Sequence, residues 1–279
     1  MNIAVTGASG FIGRHVIAEL ANKSTTITAV TRDAQNLAGM DSTVRIVEMD
    51  ISNPPLNAFD LLGQPNVLIH LAWDGLPNYY SSHHFESELP NQFRFLKQLI
   101  ESGLNSLLVS GTCFEYGMQS GGLKETLIST PNNAYGYAKN ALRQQLEFLQ
   151  REHTFELTWT RLFYMYGDGQ GERSLLPLIE SAVKRGDEVF NMSGGDQLRD
   201  YLPVTQVASH LVTLALGRSE VGIINICSGE PISVRKLVAG WIDENDWQIK
   251  LNLGHYPYPE YEPMAFWGDA TKLNNHLAR

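Results

Sequence analysis

Residues 6–13 of the chain read TGASGFIG, with glycines at 7, 10 and 13. The apolar run NIAV (2–5) precedes it and predicts a strand, and FIGRHVIAEL (11–20) has the apolar spacing of a helix. Glycines spaced in this way between a first strand and a first helix are the context of a dinucleotide-binding fingerprint. The stretch therefore predicts a dinucleotide cofactor at the start of the chain, with an ordinary strand–helix turn as the alternative.

The residues of this stretch have separate expected tasks. Gly7 makes the tight turn, Gly10 lets the backbone approach a pyrophosphate, and Gly13 lets the helix pack closely against the strand. Phe11 and Ile12 lie in the first helical turn, where free amide groups and the positive end of the helix dipole favour phosphate. We expect all five residues to take part in binding the cofactor.

Short apolar runs alternate with helical stretches through most of the chain. The runs that predict strands are apolar on both faces, as in a parallel sheet covered on two sides: NIAV, TITAV, VRIVEM, VLIHL, SLLVS and LTWTRLF. Downstream, VTQVASHLVTLAL (204–216) and GIINIC (222–227) predict one more helix and strand. This order predicts an α/β fold with a doubly wound parallel sheet of the Rossmann type.

The regular alternation weakens after about residue 165, where segments rich in glycine, proline and aromatic residues begin. We therefore assign residues 1–165 plus about 200–228 to a dinucleotide-binding Rossmann domain. Residues of about 166–199 plus 229–279 form a smaller C-terminal lobe in this prediction, and we expect that lobe to bind the substrate.

Composition excludes several classes of function. The chain has 21 Lys and Arg against 30 Asp and Glu, and the net charge of −9 argues against a nucleic acid or an anionic membrane as partner. It shows neither a secretory signal nor a run of 18 apolar residues, so we expect a cytoplasmic protein. Cys113 and Cys227 form neither a disulfide framework nor a metal spacing, and the adjacent His83 and His84 suggest a polar loop. No metal site is expected.

The end of the second strand predicts which dinucleotide binds. Arg32 follows the last fingerprint glycine by 32 − 13 = 19 residues, and an arginine there suits the 2′-phosphate of NADP. Asp33 comes next and could instead accept from the ribose 2′-hydroxyl of NAD, so NADP is favoured and NAD stays open. After the third strand, Asp50 and Ile51 could contact the adenine, although a strand-terminating turn also explains the aspartate.

The motif YGYAK (135–139) places a cation on an apolar helix face. Lys139 belongs to the stripe of Ala138, Leu142, Leu146 and Leu149. A buried lysine needs a partner, and Tyr135 lies one turn back on the same face. A nearby ammonium favours tyrosinate and lowers the pKa of a phenol, which suits a general acid or base near neutral pH. The alternative is a lysine that reaches solvent beside a core tyrosine.

These motifs together carry a family resemblance. The chain resembles the extended short-chain dehydrogenases/reductases, specifically the NAD(P)-dependent epimerase/dehydratase family that acts on nucleotide sugars. The segments that match, in the order of the family, are TGASGFIG, HLAW, SGTCFEYG, YGYAK, RLFYMYGDGQ, RDYLPVTQVA and NICSGEPISVRKL. They run along almost the whole chain.

The resemblance implies roles for individual residues. Tyr135 is the acid/base, and Lys139 holds the nicotinamide ribose and tunes the tyrosine. Thr112 is the hydroxyl residue that shares the substrate oxygen with Tyr135, with Ser110 as the competing choice. The backbone of Leu71 and Ala72, from HLAW, is expected to pass under the cofactor.

In the lobe expected to bind the substrate, the resemblance makes Arg199 of RDY the residue that grips the nucleotide diphosphate; a surface salt bridge with Asp200 is the alternative. Tyr164 stands where the family usually has an asparagine, so substrate contacts there should differ.

Departures from the family narrow the expected reaction. The sugar 4,6-dehydratases follow the active-site threonine with an Asp-Glu pair, and here those places hold Cys113 and Phe114. Dehydration is therefore not expected. The fucose-forming epimerase-reductases use a cysteine aligned with Phe114, and Cys113 is displaced from it by one position. Epimerisation at ring carbons by that route is not expected either.

The remaining expectation is reduction of a nucleotide-linked 4-keto-6-deoxyhexose at C4 by NADPH, in deoxysugar synthesis. An NAD-retaining 4-epimerase is the alternative, and a non-catalytic NADP-sensing regulator is a remote one. Relatives often form homodimers through helices corresponding to residues 91–102 and 135–150, so a homodimer is expected by analogy.

Overall fold

The structure is a computed structural model that describes residues 1–217, 220–260 and 262–278. Its strands, numbered in chain order, are β1 Asn2–Thr6, β2 Thr26–Thr31, β3 Val44–Glu48, β4 Val67–His70, β5 Ser106–Thr112, β6 Gly121–Leu123, β7 Glu156–Leu162, β8 Tyr164–Tyr166, β9 Val189–Asn191, β10 Leu198–Arg199, β11 Tyr201–Pro203, β12 Gly222–Ile226, β13 Ile232–Ser233, β14 Lys250–Asn252 and β15 Phe266–Gly268.

The helices are α1 Phe11–Ala21, α2 Ala58–Leu61, α3 Leu89–Glu101, α4 Ala134–Leu149, α5 Leu175–Arg185, α6 Val204–Leu216, α7 Val234–Glu244 and α8 Thr271–Leu277. Short 3₁₀ turns span Ala34–Leu37 and Cys113–Tyr116, and a π-helical turn spans His84–Glu88. None of the helices in these ranges is long and apolar enough to span a membrane.

A seven-stranded sheet in the order β12-β7-β5-β4-β1-β2-β3 forms the centre of the fold, and all its neighbours are parallel. Strand order reverses between β1 and β4, so a crevice opens at the carboxyl ends of these strands. The α/β fold with a doubly wound Rossmann-type sheet is therefore confirmed. Each of the predicted strands is present, and the helix predicted at 204–216 has the same bounds as α6.

Alternation along the strands builds one apolar core on each face of the sheet. Ile3 and Val5 of β1 face α1, α6 and α8, whereas Ala4 between them faces α3 and α4. Strands buried on both faces explain the continuous apolar runs of the sequence. The helices thus cover the sheet and leave its carboxyl edge for the site.

A further apolar cluster joins α5 and α7 with the short sheet of β9 and β14, through Ile179, Phe190, Val238 and Trp241. All four residues lie inside the segments assigned from sequence to the smaller lobe. The boundaries of the two units stay a prediction.

Candidate active site

A cleft of about 390 Å³ lies at the carboxyl ends of β1, β2, β3 and β4. Seven of the residues predicted to bind the cofactor line it: Gly7, Gly10, Arg32, Asp50, Ile51, Leu71 and Ala72. Phe11, Ile12 and Gly13 form the first turn of α1 beside it.

The fingerprint glycines allow close approaches that a side chain would block. Gly7 has φ +68°, and a Cβ there would lie 2.8 Å from the backbone nitrogen of Ala72. A Cβ on Gly13 would lie 2.1 Å from the carbonyl oxygen of Gly7. The turn, the helix start and the backbone after β4 therefore form a cradle of main-chain groups that fits a pyrophosphate.

Arg32 lines the cleft, whereas the side chain of Asp33 caps the neighbouring 3₁₀ turn. The exposed guanidinium of Arg32 lies 3.6 Å from a carboxylate oxygen of Asp74 across the cleft mouth. The carboxylate of Asp33 accepts from the amide of Gln35 and caps the 3₁₀ turn. The carboxylate of Asp50 accepts from the amide of Ser52, and that bond lowers its pKa. Asp50 thus closes a turn at the cleft wall, which was the alternative to an adenine contact.

A buried hydrogen-bond chain fixes the backbone after β4. His70 hydrogen-bonds Thr6 through Nδ1 at 2.8 Å and Gln92 through Nε2 at 2.7 Å. The side chain of Gln92 donates to Glu88, which also accepts from the amide of Asp74. Burial, aided by the Lys139 ammonium, lowers the pKa of His70 to about 3. A neutral His70 therefore anchors the segment of Leu71 and Ala72 that lines the cleft.

The predicted catalytic residues meet at the end of β5. The side chains of Tyr135 and Thr112 lie within reach of each other. The hydroxyl of Ser110 instead donates to the carbonyl of His70, while its own carbonyl accepts from Lys139 Nζ at 2.8 Å. Thr112 thus lies beside Tyr135, whereas the backbone of Ser110 holds Lys139. Which hydroxyl shares the substrate oxygen stays a prediction.

Lys139 lies on the inward face of α4, as predicted, and only 1% of its surface is exposed. Burial lowers its pKa to about 7, against the attraction of Glu115 and Glu88. Asn140 and Arg143 are also buried, which a simple polar face of the helix would not allow. Arg143 donates to Asn140 and pairs with Glu147, so its charge is compensated along the helix.

The expected direction of the Tyr135 pKa is wrong for this structure. Burial, helped by the negative charges of its neighbours, raises that pKa above the usual value of a phenol. Lys139 Nζ lies 5.9 Å from the centroid of the Tyr135 ring and is directed to Ser110. Desolvation therefore outweighs the ammonium, and the phenol keeps its proton.

Trp73, Tyr79 and His84 pack around Tyr135, and the sequence had predicted none of these contacts. Trp73 follows Ala72 and lies edge-on to the Tyr135 ring, with 5.9 Å between centroids. His84 begins the π-helical turn and is buried, with its ring 5.3 Å from that of Tyr135. A polar loop at this point was the wrong interpretation. The tryptophan in HLAW was the available signal.

Arg199 does not pair with Asp200. Both its Nε and one terminal nitrogen donate to Glu262, the shorter contact being 2.8 Å, and its other terminal nitrogen donates to the carbonyls of Leu198 and Met264. Asp200 accepts from the backbone amides at 228 and 229. The alternative of a surface salt bridge is therefore wrong, because Arg199 is buried and its partner comes from a distant segment.

Tyr164 shares the same partner, since its hydroxyl donates to Glu262. Cys113 belongs to the apolar cluster beside this group, and burial raises the pKa of its thiol. A thiol with a raised pKa keeps its proton at neutral pH and is therefore a poor base. Phe114 packs on Tyr79, with 4.9 Å between ring centroids.

A buried ion pair supports the threonine end of β5. Glu115 accepts from the amide of Thr112 at 2.9 Å, from the indole of Trp159 and from Nε of Arg161. Thr112 in turn accepts from the amide of Phe114, which completes a capping box. The pair is fully buried, and sequence alone gave no signal for it.

Comparisons with known proteins identify the family. A sequence model described as the NAD dependent epimerase/dehydratase family matches residues 3–227. The dTDP-6-deoxy-L-talose 4-dehydrogenase (NAD(+)) of Aggregatibacter actinomycetemcomitans is 32% identical over 96% of this chain and 99% of its own length. The GDP-6-deoxy-D-talose 4-dehydrogenase of the same organism is 26% identical over 99% of this chain and 91% of its own.

Among solved structures, MoeE5 in complex with UDP-glucuronic acid and NAD is similar with a TM-score of 0.83. The two are 25% identical, and the match covers 100% of this chain and 93% of that one.

Proposed function

This chain belongs to the NAD dependent epimerase/dehydratase family, and we propose that it reduces a nucleotide-linked 4-keto-6-deoxyhexose at C4 with a nicotinamide cofactor. The observation that carries the proposal is the grouping of Tyr135, Thr112 and Lys139 at the end of β5, beside the cleft lined by the fingerprint glycines. That grouping supplies one proton donor, one hydroxyl to align the substrate oxygen and one cation.

The acid/base step follows from the state of Tyr135. The cofactor, when bound, supplies a hydride to C4 of the sugar. Tyr135 gives its phenolic proton to the oxygen that becomes an alkoxide, and its raised pKa keeps that proton in place until it is needed. Thr112 holds the same oxygen in line, and the Lys139 ammonium stabilises the phenolate that remains.

The residues after Thr112 support simple oxidation–reduction over other reactions of the family. Cys113 has a buried thiol with a raised pKa, and Phe114 has no ionisable group. A side chain that removes a proton from a ring carbon, or that drives loss of water, would have to stand near these positions. Neither residue suits that task.

The relatives support the carbon and the class of sugar. Both dehydrogenase names place oxidation–reduction at position 4 of a 6-deoxytalose attached to a nucleotide. A 4-dehydrogenase and a 4-ketoreductase run the same reaction in opposite directions, so the same constellation serves both. We assign residues 166–199 plus 229–279 to the lobe that binds this nucleotide sugar, with Tyr164 and Arg199 at its contact with the substrate.

For the cofactor, we propose NADP with NAD as the alternative. Support for NADP comes from Arg32, whose guanidinium stands at the cleft mouth, and from Asp33, whose carboxylate caps a turn. Support for NAD comes from the relative named for NAD(+) and from MoeE5, which holds NAD. Gly7, Gly10, Gly13 and the backbone of Leu71 and Ala72 would hold the pyrophosphate and nicotinamide portions of either cofactor.

The test is oxidation of NADPH, with NADH in parallel, when the purified protein meets dTDP-4-dehydro-6-deoxyglucose. The configuration at C4 of the product is read by NMR. Loss of one cofactor per product supports the ketoreductase. In a separate oxidation assay, dTDP-6-deoxy-L-talose, the sugar nucleotide in the name of the relative, with NADP⁺ or NAD⁺ should give a reduced cofactor.

Other outcomes would replace the proposal. If neither cofactor is consumed and denatured protein releases NAD, the chain is an NAD-retaining 4-epimerase. If cofactor binds but no nucleotide sugar is turned over, the non-catalytic NADP sensor becomes the better account.

A further inference from the structure

Trp73 stands at the junction of the cofactor cleft and the acid/base pair. It follows Ala72 at the exit from β4 and lines the cleft. Lys139 Nζ lies 4.0 Å from the centroid of its ring, and the edge of the indole meets the ring of Tyr135 at an interplanar angle of 70°. One side chain therefore contacts both partners of the pair.

We propose that Trp73 is a positioning residue for the acid/base pair: its indole face holds the Lys139 ammonium beside Tyr135, and His84 fixes the indole in that position. The inference rests on the proposed function, because it assigns Trp73 to the same pair.

Lys139 has need of such a partner. The hydrogen bond from its ammonium goes to the carbonyl of Ser110, and the side chain is buried. A buried ammonium with few polar partners is unstable, and tryptophan is the aromatic side chain that attracts a desolvated cation most strongly. The indole face thus replaces part of the lost hydration.

The charged and titratable groups around Lys139 do not fully compensate for the lost hydration of its ammonium. Glu115 and Glu88 favour the ammonium from the β5 end and from the π-helical turn. His70 lies on the β4 side, and burial lowers the pKa of both His70 and His84, so these rings offer Lys139 no compensating negative charge and are disfavoured as cations. Burial still leaves the pKa of Lys139 at about 7. The loss of any contact with its ammonium should therefore change the charge state of Lys139 near neutral pH.

His84 fixes the position of the indole of Trp73 by a hydrogen bond. Trp73 Nε1 donates to His84 Nδ1 at 3.1 Å, and His84 Nε2 donates to the carbonyl of Asn78 at 2.9 Å. The acceptor role of Nδ1 requires the neutral imidazole with its proton on Nε2. Gly75 has φ +85° and lies so close to His84 that a Cβ would approach it to 3.1 Å. The absence of a side chain at Gly75 thus leaves room for the imidazole of His84.

The consequence is a change in pH dependence. A lysine whose pKa is already lowered loses its charge as pH rises through that pKa, and removal of a cation-binding ring lowers the pKa further. Turnover that needs the ammonium should therefore be lost at a lower pH. From the strength of a desolvated cation–π contact, we expect the alkaline limb to move down by about one pH unit.

The first experiment compares pH profiles of kcat for the wild type, Trp73→Leu, Trp73→Phe and the control Trp247→Phe, with NADPH and dTDP-4-dehydro-6-deoxyglucose. Trp247 packs against the cluster of α5 and α7, which contains none of Trp73, Tyr135 and Lys139. Trp73→Leu should show the full shift, Trp73→Phe a smaller shift in the same direction, and the control none. A loss of turnover with an unmoved alkaline limb in Trp73→Leu would overturn the proposal.

A second experiment needs no substrate and separates this inference from the proposed function. The difference in fluorescence between wild type and Trp73→Phe reports the emission of Trp73 as pH is varied. This emission should change across the titration of Lys139 and lose that change in Lys139→Met. An emission that is the same with and without the lysine charge contradicts the inference. If Tyr135→Phe keeps full turnover, the proposed function fails instead.

Discussion

Glu262→Gln should strengthen the binding of a nucleoside diphosphate. Arg199 is the cation proposed to grip the diphosphate, yet in this structure Glu262 occupies it through two donors, at 2.8 and 3.2 Å. Substrate anion and Glu262 therefore compete for one guanidinium. Glutamine has the same shape and can still bond Tyr164, but it lacks the charge that competes.

The expected change in affinity follows from the strength of the Arg199–Glu262 ion pair, which the ligand has to displace. Arg199 and Glu262 have side chains only 3% and 10% exposed, so their contact is little screened by solvent. A hydrogen bond to a charged partner contributes about 1.5–3 kcal/mol, and each 1.4 kcal/mol is a factor of ten in binding. We expect the Kd for dTDP to fall by roughly ten- to a hundredfold in Glu262→Gln.

The assay is calorimetric titration of dTDP into protein saturated with NADPH. Asp196→Asn is the matched control, because it removes one negative charge from an exposed pair in the same part of the chain. Only Glu262→Gln should tighten binding, and the gain should vanish when Arg199 is also replaced by methionine. An equal or weaker affinity in Glu262→Gln would refute the reasoning and make Arg199 and Glu262 a structural pair.

Four further predictions concern single residues. Tyr135→Phe should lower kcat by about 10²–10⁴-fold with cofactor affinity unchanged by fluorescence titration; retained turnover excludes the acid/base role. Arg32→Ala should raise the KM for NADPH about tenfold or more and leave that for NADH nearly unchanged, and equal effects on both would remove the 2′-phosphate contact. Glu115→Ala leaves Arg161 buried without its partner, so the free energy of unfolding in urea should fall by about 3–5 kcal/mol; a loss under 1 kcal/mol contradicts this. Because the folded pKa of His70 is lowered, the unfolded chain binds the extra proton below pH 6.5, and stability should fall by roughly 2 kcal/mol between pH 6.5 and 5; His70→Asn should lose this share of the slope, and an unchanged slope refutes it.

The sequence determined the central sheet and its position in the chain. Apolar runs buried on both faces, separated by helical stretches, have few arrangements other than a doubly wound parallel sheet. The tasks of Gly7 and Gly13 were also predictable, because the turn has no room for a side chain. An added Cβ would lie 2.8 Å from the backbone nitrogen of Ala72 at Gly7, and 2.1 Å from the Gly7 carbonyl oxygen at Gly13. The burial of Lys139 could be predicted from the sequence, since this residue interrupts an apolar helix face.

The contacts of the predicted site residues depend on the tertiary structure and could not be predicted from the sequence. Glu262 reaches Arg199 from 63 positions away, and Glu115 reaches Arg161 from 46. No local pattern specifies pairs at such separations. The pKa of Tyr135 was predicted in the wrong direction because spacing along a helix reveals the neighbouring ammonium but not the depth of burial, and burial is the larger effect. Trp73 and His84 meet the acid/base pair only because the turn after β4 folds back over α4. Periodicity thus fixes elements and faces, whereas contacts between distant segments fix the charge states on which the chemistry depends.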